Sequence, residues 1–365
     1  MTANPTQRLF SLDVFRGLTM FLLVAEAAGF HHHFYEMVKE SPFWASIAEQ
    51  LHHHPWRGLR FWDLIQPYFM FIVGVAMPFS LRKRLVEGNR KSVTQHILKR
   101  CFLLFAFGVL LHCVYSQALV WELWNVLVQL AFTILIAYAL MELPHKTQLL
   151  FSAGLLVLIE IAYRMYNPQD PYTHGTNFGS WTDLLFMGKI NDGGWVTINF
   201  IPTAAHTIWG VVCGQMLLSG KSPAEKLKPI IIGGFIILVL GFTLDLLHIT
   251  PMIKRVATSS FTLASGGFAL LTLALFYWWI DVKNNQKKWL RIFSVVGTNS
   301  IFIYLFAETV GHQWFTGFGK IFTYGLLAPI GVPEDIIMVV NALFVLFIFW
   351  YITYFLDQRK IYFKV

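Results

Sequence analysis

Three consecutive imidazoles, His52, His53 and His54, stand nine to eleven residues ahead of a carboxylate, Asp63, at the edge of a long apolar run. Titratable groups placed where water thins out are expensive, and in membrane chains they mark functional sites by default. Histidine, with an unperturbed pKa near 6.5, is the side chain best matched to accept the proton that an amine loses as it attacks a thioester. A carboxylate beside such a ring holds its orientation and stabilises its charged form. The stretch therefore suits acyl transfer, with one imidazole as base. Three in a row are not three bases, and a solvated cluster is the plain alternative for each. His31, His32 and His33 lack a comparable carboxylate and fit that alternative better. Adjacent histidines rarely point at one metal, and no usual ligand spacing is present, so no metal is expected.

Other polar groups interrupt apolar runs. Asp13 and Arg16 open the first run at i, i+3 spacing and share one helical face, either as a structural ion pair or at a binding site. Glu26, near the far end of that run, is a candidate pocket residue. His206 follows the proline-broken segment Asn199–Phe200–Ile201–Pro202, and broken helix at membrane depth is tolerated where it is buried or lines a cavity. Asn299, Ser300 and Glu308 form a further polar set. For each of these, helix-to-helix hydrogen bonding competes with substrate contact. The basic loop from Arg82 to Arg100 either attracts the phosphates of a nucleotide-bearing acyl donor or only reports topology.

Composition sets the frame that must position these groups. Of 365 residues 56% are hydrophobic and 13% charged, against roughly 25% charged in soluble domains. The chain reads as an all-α integral membrane protein, a polytopic bundle of about ten spans near 11–29, 63–80, 100–117, 124–142, 148–164, 196–218, 229–248, 258–280, 292–311 and 335–356. The net charge of +8 then reports orientation, and nucleic acid is not implied. Most Lys and Arg residues fall on the side of the loop Arg82–Arg100 and of Lys283–Arg291 and Arg359–Lys364, so both termini are expected to be cytoplasmic. The histidine stretch is then outside. Loops 30–62 and 165–195 are rich in aromatic and turn residues and are expected to form an ordered roof. The short polar N-terminus is not shaped like a cleavable leader. Cys101, Cys113 and Cys213 read as small buried hydrophobes.

Several blocks together resemble the membrane domain of the heparan-alpha-glucosaminide N-acetyltransferase family, including bacterial NagX-like proteins of amino-sugar utilisation. They are Ser11-Leu12-Asp13-Val14-Phe15-Arg16-Gly17-Leu18-Thr19, His53-His54-Pro55-Trp56-Arg57-Gly58 with Asp63-Leu64 and Pro67, Gly297-Thr298-Asn299-Ser300-Ile301, and Arg359-Lys360-Ile361-Tyr362-Phe363-Lys364. The blocks run the length of the chain in family order. The family's His-x-x-Trp-x-Gly motif selects His53 as the active-site histidine, with His52 and His54 as fallbacks, and its aspartate falls on Asp63. Pro202 and Lys254 also match family segments. Two departures stand out: Ala27, beside Glu26, replaces an asparagine of relatives, and the block Asn125–Leu130 lacks an arginine.

The resemblance implies a single transmembrane acyltransferase domain over 1–365, in a bacterial inner membrane, as a possible homodimer. It would use acetyl-CoA as co-substrate and a glucosamine-like amine on the outer side as acceptor. His53 and Asp63 are then catalytic. His54, Trp56, Glu26, Lys254, Asn299 and Glu308 fall on the substrate side, and Arg16, Pro202, His206 and Arg82 on the donor side. An amino-sugar permease and an O-acyltransferase of a surface glycan are the competing functions.

Overall fold

The computed structural model describes residues 9–86 and 90–363. Among them are helices and loops but no strand, because in hydrocarbon a helix pairs every backbone N–H and C=O within its own segment. In chain order the helices are α1 (Phe10–Ala27), α2 (Phe30–Val38), α3 (Pro42–Glu49), α4 (Ile65–Val86), α5 (Arg90–Ser116), α6 (Val126–Leu140), α7 (His145–Tyr166) and α8 (Phe178–Met187). They continue with α9 (Phe200–Leu218), α10 (Pro223–Leu246), α11 (Ser259–Phe276), α12 (Arg291–Thr298), α13 (Ser300–Phe306), α14 (Thr316–Leu327) and α15 (Glu334–Gln358). A 3-10 turn over Phe61–Leu64 runs straight into α4.

Seven stretches are long and apolar enough to cross a bilayer: Phe61–Leu81, Arg90–Ser116, His145–Tyr166, Thr197–Leu218, Pro223–Leu246, Ser259–Val282 and Glu334–Gln358. Lys288–Thr298 and Ser300–Gly311, bent by 71°, add an eighth if taken as one broken span. The two other expected spans are helices that fall short for different reasons. Within 18 residues α1 carries Asp13, Arg16 and Glu26, whereas α6 has only 15 residues, about 22 Å against roughly 30 Å of hydrocarbon. The chain is an all-α polytopic membrane protein; among the described residues length and composition alone pick out seven spans, or eight with the bent pair.

The helices gather into two compact units. The first contains His54–Leu59 and Gln66–Val282. Its inner helices approach backbone to backbone, the means by which helices associate in lipid: a Cβ on Gly74 of α4 would lie 2.1 Å from Thr207 O of α9, and one on Gly210 of α9 only 2.2 Å from Phe71 O. Gly210→Ala is expected to destabilise by about 1–3 kcal/mol, since backbone cannot yield as a side chain can. Gly233→Ala, where a Cβ meets nothing within 4 Å, is the matched control. Thermal unfolding of the purified variants checks the pair, and equal midpoints would contradict the packing argument.

Buried polar groups tie the same helices. Gln129 Nε2 of α6 donates to Asn199 Oδ1 at 2.7 Å and Thr203 Oγ1 at 3.0 Å, and Gln66 of α4 donates to Gln129 Oε1. Outside the spans, Trp56 Nε1 donates to Tyr172 O at 3.2 Å and packs edge-on to His174, with ring centroids 4.7 Å apart. The Gly58 N–H donates to Met252 O at 2.8 Å. Gly58 has φ +147°, a conformation L side chains rarely adopt, and a Cβ there would lie 2.5 Å from the His54 ring. The Trp-x-Gly part of the motif is thus an anchor: tryptophan reaches one loop, and only glycine lets the chain bend to reach the next.

The second unit contains Leu9–His53, Arg60–Ile65 and the residues from Lys283 onward. Here α1 and α12 cross at Gly17, whose Cβ would lie 1.9 Å from Phe293 O, and at Gly297. Asn299 leaves the helical conformation between α12 and α13, at φ −120° and ψ 37°. Fully buried, it donates from Nδ2 to Ile361 O at 3.0 Å and accepts the Phe363 N–H at 2.9 Å. The helix break and the tail are therefore satisfied by one amide.

Candidate active site

Asp63 is the third residue of the 3-10 turn that starts the span Phe61–Leu81, and it is fully buried. Its Oδ2 accepts the Arg60 N–H at 2.9 Å, a helix-capping bond that favours a negative charge at a helix start. Its Oδ1 lies 3.1 Å from His53 Nδ1. The bond assigns a proton to Nδ1, the carboxylate being an acceptor, and this leaves Nε2 as the acceptor of the ring. The His53 side chain is 35% exposed while that of Asp63 is 1% exposed. A ring open to an incoming group is held from behind by a carboxylate sealed from water.

Arg60 completes the frame. Its Nη1 donates to His53 O at 3.2 Å, and its Nη2 donates to Glu49 Oε2, at the end of α3, at 3.3 Å. Together with its N–H on Asp63, Arg60 fixes the backbone of His53, the carboxylate and the end of α3 at once. Gln50 pins the same corner: its carbonyl accepts the Trp62 N–H at 2.9 Å and its Oε1 the Phe61 N–H at 3.1 Å.

Trp62, 1% exposed, is the hub of the remaining contacts. Its indole N–H donates to Glu26 Oε1 at 3.0 Å; its ring centroid lies 6.4 Å from His53 and 4.3 Å, edge-on, from His31. Glu26 is thus held by the same indole that lies beside His53. His52 instead turns its Nδ1 to Ala48 O at 3.1 Å and packs on Tyr35.

His31, placed by sequence among solvated histidines, is buried, and burial followed by the nearby His52 charge holds its pKa down to about 4. The folded state keeps this ring neutral where the unfolded chain protonates below about pH 6.5. Its contribution is complete above that pH and is lost as pH falls toward 4, by about 1.4 kcal/mol per unit. His31→Phe keeps the packing on Trp62 and is expected to flatten the acid limb of the unfolding midpoint between pH 6.5 and 4. An unchanged limb would contradict this assignment.

The other expected site residues have the following settings. Lys254 is buried with its ammonium 5.4 Å above the Trp195 ring, a cation–π seat in the first unit. His206 is fully buried, its Nε2 3.0 Å from both Thr262 O and Ser265 Oγ, so it ties α9 to α11. Pro202 is buried one turn earlier. His54 and Trp56 belong to the loop anchor already described. In the second unit Arg16 is half-buried on α1, Asn299 holds the tail, and Glu308 lies in the π-helical stretch Ala307–Phe315. The Arg82 side chain is outside the described residues. Among the described residues no group of three metal-ligating side chains converges.

A multi-pass membrane protein with a carboxylate-held imidazole at the mouth of a span is the class these features define. Residues 8–244 match the family described as heparan-alpha-glucosaminide N-acetyltransferase, catalytic, and the chain belongs to that family. It is also similar to the mouse heparan-alpha-glucosaminide N-acetyltransferase, at 30% identity over 109 residues, a stretch covering 30% of this chain and 14% of the mouse protein.

Proposed function

We propose that the chain is a transmembrane acetyltransferase moving acetyl from cytoplasmic acetyl-CoA to the amino group of a glucosamine-like sugar across the bilayer. The observation that carries this reading is the 3.1 Å contact between His53 Nδ1 and the buried Asp63 carboxylate, inside the family's His-x-x-Trp-x-Gly motif. In the direct form, His53 Nε2 takes a proton from the acceptor nitrogen as that nitrogen bonds to the thioester carbonyl carbon. The C–S bond breaks, and CoA leaves as a thiolate that recovers the proton from the imidazolium. In the covalent form, Nε2 carries the acetyl group between the two substrates. Asp63 stabilises the positive ring in both.

On this reading Glu26, His54, Trp56, Lys254, Asn299 and Glu308 serve the acceptor side, and Arg16, Pro202, His206 and Arg82 the donor side. The protein works as one domain in a bacterial inner membrane with both termini cytoplasmic, as a homodimer. Purified protein given acetyl-CoA and glucosamine is expected to release CoA only when both are present. Sugar uptake by vesicles without acetyl-CoA would replace the reading with a permease, and acetylation of N-blocked sugars would move the product to oxygen. Labelled acetyl-CoA without acceptor separates the two chemical forms: label on the protein that persists in His53→Ala rules out acetyl-His53.

A further inference from the structure

We infer that α3 is an interfacial helix whose apolar face lies in the membrane leaflet at which the span Phe61–Leu81 begins, so that its partner is lipid. The eight-residue helix buries only Ala48 fully. Phe43 is 66% exposed, Trp44 50% and Ile47 41%. At 100° per residue these three positions fall within one third of the helix circumference and form a continuous stripe. Water alone is a poor neighbour for such a stripe, and large contiguous apolar patches mark interaction surfaces.

The depth of α3 identifies the partner. Gln50, the residue that ends α3, accepts the N–H groups of Phe61 and Trp62 through its side chain and carbonyl. Phe61 is the first residue of a stretch long and apolar enough to cross the bilayer, and its own ring is 39% exposed. The C-terminal end of α3 is thus tied to the level where that apolar stretch starts, beside the exposed Phe61 ring. Aromatic residues are enriched at that level, where an amphipathic helix lies in the plane of the interface. The preceding segment supplies the water-facing border, with Glu36, Lys39 and Glu40; Lys39 pairs with Glu36 at 2.8 Å, and both side chains are exposed. A second copy or a soluble partner would also cover apolar side chains, but neither explains why the stripe is moored to the start of a span.

The test is depth measurement by spin labelling of the full chain in phosphatidylcholine nanodiscs. Cys101 and Cys213 are buried, so Cys113→Ala leaves a background without an accessible thiol. Labels are placed at Phe43→Cys and Ile47→Cys, with Glu40→Cys as the water-facing reference; all three sites are on the surface. Labels at 43 and 47 are expected to relax several-fold more with oxygen than with a water-soluble nickel chelate, and the label at 40 to show the reverse. Nickel accessibility at 43 and 47 equal to that at 40 overturns the inference. Protection from both reagents assigns the stripe to protein and overturns it equally.

Discussion

His53→Ala is expected to lower acetyl transfer by about 10²–10⁴-fold with the fold intact, the range a positioned general base contributes. The ring is 35% exposed at its side chain, and its removal uncovers Asp63 Oδ1 without opening a deep cavity. The loss should appear in kcat/KM per folded molecule, alongside a destabilisation of about 1–3 kcal/mol from the carboxylate that loses its imidazole. Replacing the flanking histidines supplies the contrast. His52 is turned to Ala48 O and His54 sits on Gly58, so neither takes over the task. A His53→Ala enzyme that retains full turnover, or a His52→Ala enzyme that loses as much, would move the base to another residue.

Asp63→Asn is the second large effect, on the order of 10⁴-fold, as an imidazole in the wrong tautomer costs in carboxylate-held sites. Asparagine has one acceptor where aspartate has two. If that oxygen keeps the Arg60 N–H, the amide NH2 faces His53 Nδ1 and donates to it, the ring proton moves to Nε2, and the base is blocked. Exchange of the charge-assisted bond for a neutral one at this fully buried position adds about 1 kcal/mol of destabilisation. The two consequences are separable by measuring turnover per folded molecule alongside the unfolding midpoint. A variant that is merely less stable, with normal turnover per folded molecule, would leave Asp63 a capping residue and nothing more.

The sequence allowed His53 and Asp63 to be paired because the motif fixes their register and because a carboxylate at the edge of an apolar run is costly enough to need a reason. The helical class was equally legible, since apolar runs of span length have few other solutions. Arg60 was not: in one dimension it counts only as a basic residue of the outer loop, and its bonds to Glu49, His53 and Asp63 exist only once α3 has folded back on the span. An arginine three residues before a buried aspartate at a helix start was the available signal. Trp62 and His31 meet across 31 positions through ring packing that no spacing rule encodes. His206, for which helix-to-helix bonding and substrate contact were both open in the sequence, bonds across from α9 to α11, as a buried polar ring takes its nearest acceptor. Gln129 was visible as part of a family block, yet its partners Gln66, Asn199 and Thr203 come from two other helices. Helix α14 was missed because its glycines and Lys320 dilute the apolar signal.

The chain order of the two units carries a consequence for biosynthesis. Nearly all of the first unit is the continuous stretch Gln66–Val282, whereas the second draws on Leu9–His53, Arg60–Ile65 and the residues from Lys283 on. A ribosome delivering the polypeptide from its N-terminus supplies α1 and the His53–Asp63 corner early, but α12, the surface on which Gly17 rests, emerges more than two hundred residues later. The Asn299 amide waits longer still, for residues 361 and 363. Domains fold as units while synthesis proceeds, so the central bundle can mature on the nascent chain before the residues that complete the unit holding His53 and Asp63 have been made.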